Sequence, residues 1–182
     1  MNGARYFDPA GPTSQILTGV DAGVAEAWLR TAGTPFGAFP TDTEWRQSVR
    51  MLVDAASKGK AVLTLTKLWV NATASQKAQW HRFALATFLM GANGRSCFSF
   101  SDSSSQNSAK VTPWSVGIGS PTGAYYAVGK AYRRNFSGGT VLVNNTGTSI
   151  KVSLGATYIN SSGSRVTSST LQPHTGEVLK LV

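Results

Sequence analysis

The chain has 182 residues, of which 41% are hydrophobic and 14% are charged, and its formal net charge is +9. So much apolar material supports a packed core, which excludes a disordered chain. No apolar run approaches the roughly 18 residues that a bilayer-spanning helix needs, so we predict no membrane partner. The charge reflects eight acidic residues against 17 basic ones, and the basic residues are dispersed rather than interleaved with aromatic ones. We therefore predict no nucleic-acid partner, while attraction to acidic glycans stays open.

Cysteine and metal chemistry are not indicated either. Cys97 is the single cysteine, so it cannot form an intramolecular disulfide, and we predict a buried structural thiol. His81 and His174 are the only histidines, and their positions in the sequence form no ligand cluster with the cysteine. We expect neither a metal nor a cofactor.

The first half of the chain begins with alternating strand-like and helix-like segments. Asp21–Leu29 is a short apolar run that contains one carboxylate. Thr41 and Asp42 then open a helix with apolar residues at helical spacing, and Gly59 ends it. Ala61–Trp69 is the clearest strand, because it is nearly continuously apolar, as buried parallel strands are.

The same rhythm continues to about residue 112. Thr73 and Gln76 have the spacing of a capping box, and the helix that they start ends near Gly91 or Gly94. Cys97–Asp102 is the next strand. Strand, helix, strand, helix, strand is the order of a parallel sheet. Three such strands do not close a barrel and would leave apolar edges exposed, so this half of the protein looks incomplete.

The second half is rich in Val, Thr, Ser, Gly and Asn, with polar and apolar residues in alternation. Turn signals recur about every 8 to 12 residues, which is typical of a small antiparallel β-sandwich. The predicted strands are Ala131–Phe136, Thr140–Asn145, Thr148–Leu154, Ala156–Ile159, Arg165–Leu171 and Glu177–Leu181. We therefore place a domain boundary near residue 120, with an α/β domain at 1–120 and an all-β domain at 121–182.

Two motifs in the second half resemble the small β-sandwich that closes many barrel glycosidases. Tyr132–Asn145 is similar to the pattern Y-R-R-x-F-x-x-G-x-V-L-V-N, and Leu171–Leu179 is similar to L-x-P-H-x-G. Gly19–Leu29 resembles the sixth-strand region of a group of glycoside hydrolase-like (TIM-barrel) proteins, with the pattern D-G-V-x-x-E-x-x-L, and Gly117–Pro121 resembles their link into the sandwich. The resemblance covers nearly the whole chain.

The resemblance implies the C-terminal part of a (β/α)₈ barrel, about three βα units, followed by the β-sandwich. Such barrels need about 250 residues before the sandwich, whereas only about 120 precede it here. A truncated product, one piece of a split protein, or a reduced sheet would each account for this departure.

Two carboxylates are the candidate catalytic residues. Glycoside hydrolysis generally uses one carboxyl group to protonate the leaving oxygen and another to attack the sugar or to activate water. Barrel enzymes place such groups where strands end, which fits Glu26, while Asp102 follows the next suitable strand. The alternatives are a first-turn helix carboxylate for Glu26 and a turn-forming loop residue for Asp102.

Four further residues are candidates for substrate binding. Trp28, Trp69 and Trp114 follow strands or lie in rim loops, where aromatic faces stack on sugar rings, and packing in the core is the alternative for each. Lys67 lies late in its strand and could hydrogen-bond a hydroxyl or carboxylate group.

These observations predict a glycoside hydrolase-like protein, or the C-terminal fragment of one, with a polysaccharide or oligosaccharide as partner and hydrolysis of O-glycosyl bonds if the barrel is complete. The first alternative is a non-catalytic carbohydrate-binding or structural module. The second is an interaction protein in which another chain supplies the missing half of the barrel. Met1–Tyr6 shows no signal peptide, so we expect secretion only if an upstream leader belongs to a longer chain.

Overall fold

A computed structural model of the chain describes residues 19–92, 94–102 and 117–182. The described chain has two helices and nine strands in two sheets. In order they are β1 Ala22–Ala25, α1 Asp42–Ser57, β2 Ala61–Lys67, α2 Ala74–Gly91, β3 Cys97–Ser101, β4 Tyr126–Val128, β5 Ala131–Phe136, β6 Gly139–Asn144, β7 Ile150–Ile159, β8 Arg165–Leu171 and β9 Thr175–Leu181. Neither helix combines the length and the apolar character that crossing a membrane requires.

The chain divides into two compact units. The first comprises the described residues within Met1–Ala78 and Gly91–Lys110, and the second those within Gln79–Met90 and Val111–Val182. Most of α2 is therefore grouped with the second unit.

The first unit contains a parallel sheet of order β1-β2-β3. Both helices of the described chain begin where the sequence predicts. The backbone N–H of Thr41 donates to Glu44 and that of Glu44 donates back to the Thr41 hydroxyl, which forms a capping box. Thr73 and Gln76 make the same reciprocal pair at the start of α2. These local predictions are confirmed.

The predicted fold class is wrong. The described chain is mostly β, with only two helices, and no (β/α) barrel is evident, because the parallel sheet stays open with β1 and β3 at its edges. The all-β part is not a two-layer sandwich. It is a single curled antiparallel sheet of order β4-β5-β6-β9-β7-β8. Strand β9 causes this difference, since it pairs with both β6 and β7 and so joins two hairpins into one sheet.

One buried cluster forms a core of the second unit. Its buried residues are Ala131, Leu142, Val152, Leu154, Tyr158, Leu171 and Leu179. They come from strands β5 to β9, so all five strands contribute to this core.

The two motifs behind the resemblance hold α2 against this sheet. Arg134 donates from Nη1 to the Leu89 carbonyl at 2.8 Å and from Nε to the Gly123 carbonyl at 3.0 Å. Leu89 lies in the last turn of α2, where carbonyl groups have no partner within the helix. Burial lowers the pKa of Arg134, but an arginine keeps its charge at neutral pH.

The second motif makes the close approach of α2 possible. A Cβ atom at Gly176 would lie 2.9 Å from the Arg82 carbonyl oxygen and closer still to the Ala86 Cβ atom. Gln79 donates to the Pro173 carbonyl at 2.9 Å, and the His174 ring meets Phe83 edge to face. The motif residues therefore serve packing of the helix on the sheet.

The prediction of a buried thiol is also wrong. Cys97 is exposed, at the first position of β3. Its partner in the register is Leu63, which is 44% exposed. Successive side chains of a strand point to opposite faces of the sheet, but the sequence does not show which face other residues cover. The sequence pattern alone therefore could not place the Cys97 side chain.

Candidate functional site

The carboxyl ends of the three parallel strands meet at one edge of the first unit. Glu26 directly follows β1, Lys67 is the last residue of β2, and Asp102 directly follows β3. Parallel strands bring their carboxyl ends together because they all run in the same direction. Ligands of open parallel sheets bind at this edge.

The register shows how far apart the two carboxylates lie. Ala25 is opposite Thr64, whereas Ser101 is opposite Lys67, three residues further along β2. Two strand spacings and three residue rises separate Glu26 from Asp102, which places their Cα atoms roughly 14 Å apart. The Asp102 carboxylate forms an ion pair with Lys77 Nζ at 3.1 Å. The fold therefore brings both residues to one edge without placing them side by side.

Lys67 and Trp69 form a contact at the end of β2. Lys67 is only 3% exposed, and its ammonium group lies 4.6 Å from the centre of the Trp69 ring. This distance is within the range of a cation–π interaction. The backbone N–H of Leu68 donates to the Ser101 carbonyl at 3.0 Å, which ties the end of β2 to β3.

Trp69 also carries two unusual features. Its φ angle is 66°, in the left-handed region that bulky residues rarely adopt. Its indole Nε1 is buried and has no hydrogen-bond partner within residues 19–92, 94–102 and 117–182. Buried donors normally find a partner, so this nitrogen is a candidate to bind a water or a ligand acceptor.

The turn after β1 is fixed by hydrogen bonds to β2. The Trp28 N–H donates to the Leu65 carbonyl at 3.2 Å, and the Trp28 carbonyl accepts from the Thr66 hydroxyl at 3.1 Å. Trp28 is fully buried, so its ring lies in the core of this unit. Leu29 follows with a φ of 64°. Of the three non-glycine residues with positive φ in the described chain, Leu29 and Trp69 both lie just beyond strand ends at this edge, and such strain clusters at functional sites.

A cavity of about 510 Å³ opens beside the β1 turn. Ala27 and Leu29 line it from the turn, Phe39 from the following loop, and Glu44 and Gln47 from α1. Its volume falls in the range of small-molecule sites. The Thr41 hydrogen bonds lower the pKa of Glu44, so this carboxylate stays ionised as a helix cap.

Arg30 shapes the loop that walls the cavity. Its guanidinium donates to the carbonyl oxygens of Thr34 and Pro35 and lies 4.8 Å from the centre of the Phe36 ring. Arg30 is 3% exposed, and burial lowers its pKa. The sequence did not identify Arg30 or Gln47 as candidates, because Arg30 lies in a segment that looked like a connecting loop and Gln47 lies on the predicted helix. The arginine directly after an apolar run was the one available signal.

The remaining predicted residue, Trp114, lies outside the described residues. Within the part of the chain that the structure describes, no group of three or more His, Cys, Asp or Glu side chains is arranged to hold a metal ion.

The chain matches the model of a known family. The model of hypothetical glycosyl hydrolase family 15 matches residues 5–140, well over half of the chain. The match spans the parallel sheet and extends through β5, including the Y-R-R-x-F motif. No curated protein matches the chain. This chain therefore belongs to hypothetical glycosyl hydrolase family 15.

Proposed function

We propose that the carboxyl edge of the parallel sheet binds a polysaccharide or oligosaccharide and that Glu26 acts there as acid or nucleophile in cleavage of an O-glycosidic bond. Membership of a glycosyl hydrolase-like family supports the substrate class. The position of Glu26, directly after β1, supports its role, because a carboxylate at a strand end can project toward a ligand.

The observation that carries the proposal is that Glu26 and the Trp69 indole both follow strand ends at one edge of the sheet, and that Ala27, the neighbour of Glu26, lines the cavity. Sugars present hydroxyl oxygens that accept hydrogen bonds and C–H faces that pack on aromatic rings. The Trp69 Nε1 donor can bind such an oxygen, and Lys67 beside it can bind a second hydroxyl or a carboxylate.

Asp102 is our candidate for the second carboxylate, because it is the other described carboxylate at this edge. Asp102 forms an ion pair with Lys77, and both side chains are about one-third exposed. Such exposed ion pairs contribute at most about 1 kcal/mol, so a substrate could replace Lys77 as the partner of Asp102. Inverting hydrolysis needs carboxyl groups within about 10 Å. Cα atoms roughly 14 Å apart meet that limit only if both side chains extend toward each other.

This separation favours one alternative, a carbohydrate-binding module without catalysis. Such a module needs the cavity and the Trp69 donor but no second carboxylate. The two functions differ in a single measurable property, which is whether the bound glycan is cleaved.

The test compares the wild-type chain with Glu26→Gln on a panel of polysaccharides, with release of reducing ends and binding measured in parallel. We expect Glu26→Gln to lose about 10²-fold or more of the hydrolysis rate and to keep its affinity, because the amide cannot transfer the proton. Asp54→Asn is the matched control, since Asp54 pairs with Lys58 on α1. Hydrolysis that survives Glu26→Gln would refute the catalytic role.

A second variant tests the binding step separately. Trp69→Phe keeps an aromatic ring but removes the Nε1 donor, so we expect about a fivefold to tenfold loss of affinity. Binding that depends on Trp69, in a wild-type chain that cleaves none of the glycans, would establish the non-catalytic alternative.

A second chain remains a proposed partner of the first unit. Parallel sheets are normally covered on both faces, whereas Leu63 in the middle of β2 is 44% exposed. Light scattering over a concentration series would detect self-association through this face. A monomer at all concentrations would show that a second copy of this chain does not cover Leu63.

A further inference from the structure

A second cavity, of about 610 Å³, lies on the curled sheet in the second unit. We call it the bulge groove. Side chains of Lys151 and Ser153 on β7, of Thr157 in the irregular part of β7, and of Thr167 and Ser168 on β8 line it. Gly155 and Ala156 complete the lining, so its polar side chains carry hydroxyl groups and one ammonium group, without an aromatic or acidic side chain.

The groove exists because β7 carries a large bulge. Ser153 pairs with Ser168 and Tyr158 pairs with Val166, so four residues of β7 stand opposite Thr167 alone. Gly155 lies in this segment with a φ of 75°, which suits glycine. Bulges of this kind change the direction of side chains and are common beside binding sites.

A single arginine holds both ends of the bulge. Arg133 donates from Nη1 to the Leu154 carbonyl and from Nη2 to the Tyr158 hydroxyl, each at 3.0 Å. Its Nε donates to Asn135 Oδ1 and to Thr140 Oγ1, also at 3.0 Å. The bulge is thus anchored to β5 and β6 rather than being a loose loop, and its shape is set before any ligand arrives.

The surroundings of the groove are cationic. Within the described residues 117–182, six lysines and arginines stand against one acidic residue, Glu177. Glu177 accepts a hydrogen bond from the Ser169 hydroxyl. Arg165 and Lys180 are both exposed and both pair with Ile159, two residues beyond Thr157 of the groove. A negatively charged ligand is favoured here by the field as well as by Lys151.

We propose that the bulge groove binds an acidic saccharide, with its carboxylate on Lys151 and its hydroxyl groups on the Ser and Thr side chains. Hydroxyl donors and acceptors match the alternating hydroxyls of a sugar, and an ammonium group is a point charge that binds a carboxylate without demanding a fixed geometry. This second site is separate from Glu26, so the proposal does not depend on the proposed catalytic function.

The test uses the full chain and isothermal titration with short oligogalacturonates, together with the same oligomers after methyl esterification, which removes the charge and keeps the sugar chain. We expect binding of the acid form, loss of about tenfold or more on esterification, and weaker binding as salt rises. Lys151→Ala should lower the affinity for the acid form by about tenfold. Lys130→Ala is the control, because it removes one exposed charge from the turn between β4 and β5.

A third variant separates the groove from the general field. Ser153→Ala removes a lining hydroxyl without changing the charge, and we expect about a threefold to fivefold loss. Unchanged affinity in Lys151→Ala, or an equal loss in Lys130→Ala, would overturn the proposal. It would also fall if duplex DNA bound as tightly as the oligogalacturonate, because a polyanion without sugar-specific contacts would then suffice. Matching thermal unfolding of all variants shows that each loss arises at the groove.

Discussion

Replacing Gly176 by alanine should destabilise the second unit, because no space exists for a methyl group between β9 and α2. The new Cβ atom would lie 2.9 Å from the Arg82 carbonyl oxygen and 3.1 Å from that of Leu142, and closer still to Ala86 Cβ, whereas ordinary contacts are 3.4–4 Å. The Arg82 and Leu142 oxygens are backbone atoms, and the Ala86 Cβ atom is bonded directly to the backbone. None of the three can move alone, so the helix must shift relative to the strand. Overpacking of this kind costs about 1–3 kcal/mol, and we expect the upper half of that range.

Urea unfolding followed by tryptophan fluorescence measures this loss. Gly147→Ala is the matched control, since its Cβ would have only a His174 nitrogen nearby, at 4.0 Å. The double variant Gly176→Ala with Ala86→Gly removes the closest atom. We expect it to recover about 1 kcal/mol or more relative to the sum of the single changes, despite the helix cost of glycine. A Gly176→Ala protein as stable as Gly147→Ala would refute this account of how the helix docks.

Two further changes test the second unit. Burial lowers the pKa of His81 to about 4, below its unfolded value near 6.5, so the unfolded state takes up the proton first as the pH falls. The contribution of His81 to stability should thus be constant above pH 6.5 and decline toward pH 4 by at most about 1.4 kcal/mol per pH unit. Urea titrations of His81→Gln should show a smaller slope, and the remainder comes from His174, whose pKa burial also lowers. Arg134→Lys cannot satisfy both the Leu89 and Gly123 carbonyl groups and should cost about 1–3 kcal/mol by urea unfolding, whereas Arg165→Lys, on an exposed edge, should cost less than about 0.5 kcal/mol. An unchanged pH slope, or equal effects of the two lysine substitutions, would contradict these expectations.

Local structure was predictable because its signals lie within a few residues. Thr41 with Glu44, and Thr73 with Gln76, identify helix starts through bonds that span three residues. The apolar run that begins at Ala61 identifies β2 in the same way. The position of Glu26 after β1 follows from this local reading, and so does its presence at the carboxyl edge once the strands are taken as parallel.

The candidate site was only partly accessible to such reasoning. Trp28 and Trp69 have similar sequence contexts, yet Trp28 is fully buried whereas Trp69 is only partly buried. The difference depends on which side of each turn faces the core. The cavity walled by Arg30 and Gln47 combines a loop with a helix that follows it, and no periodic pattern marks such a combination.

The amino-acid sequence by itself determined the helices, most of the strands and the parallel order of the first sheet, since hydrogen bonds and side-chain alternation over short spans encode them. Tertiary structure alone decided that β9 enters between β6 and β7, and thereby made one curled sheet where hairpin signals indicated a sandwich. Pairing between distant strands depends on which edges remain free after local hairpins form, and that choice is made by burial of the whole core rather than by any single segment.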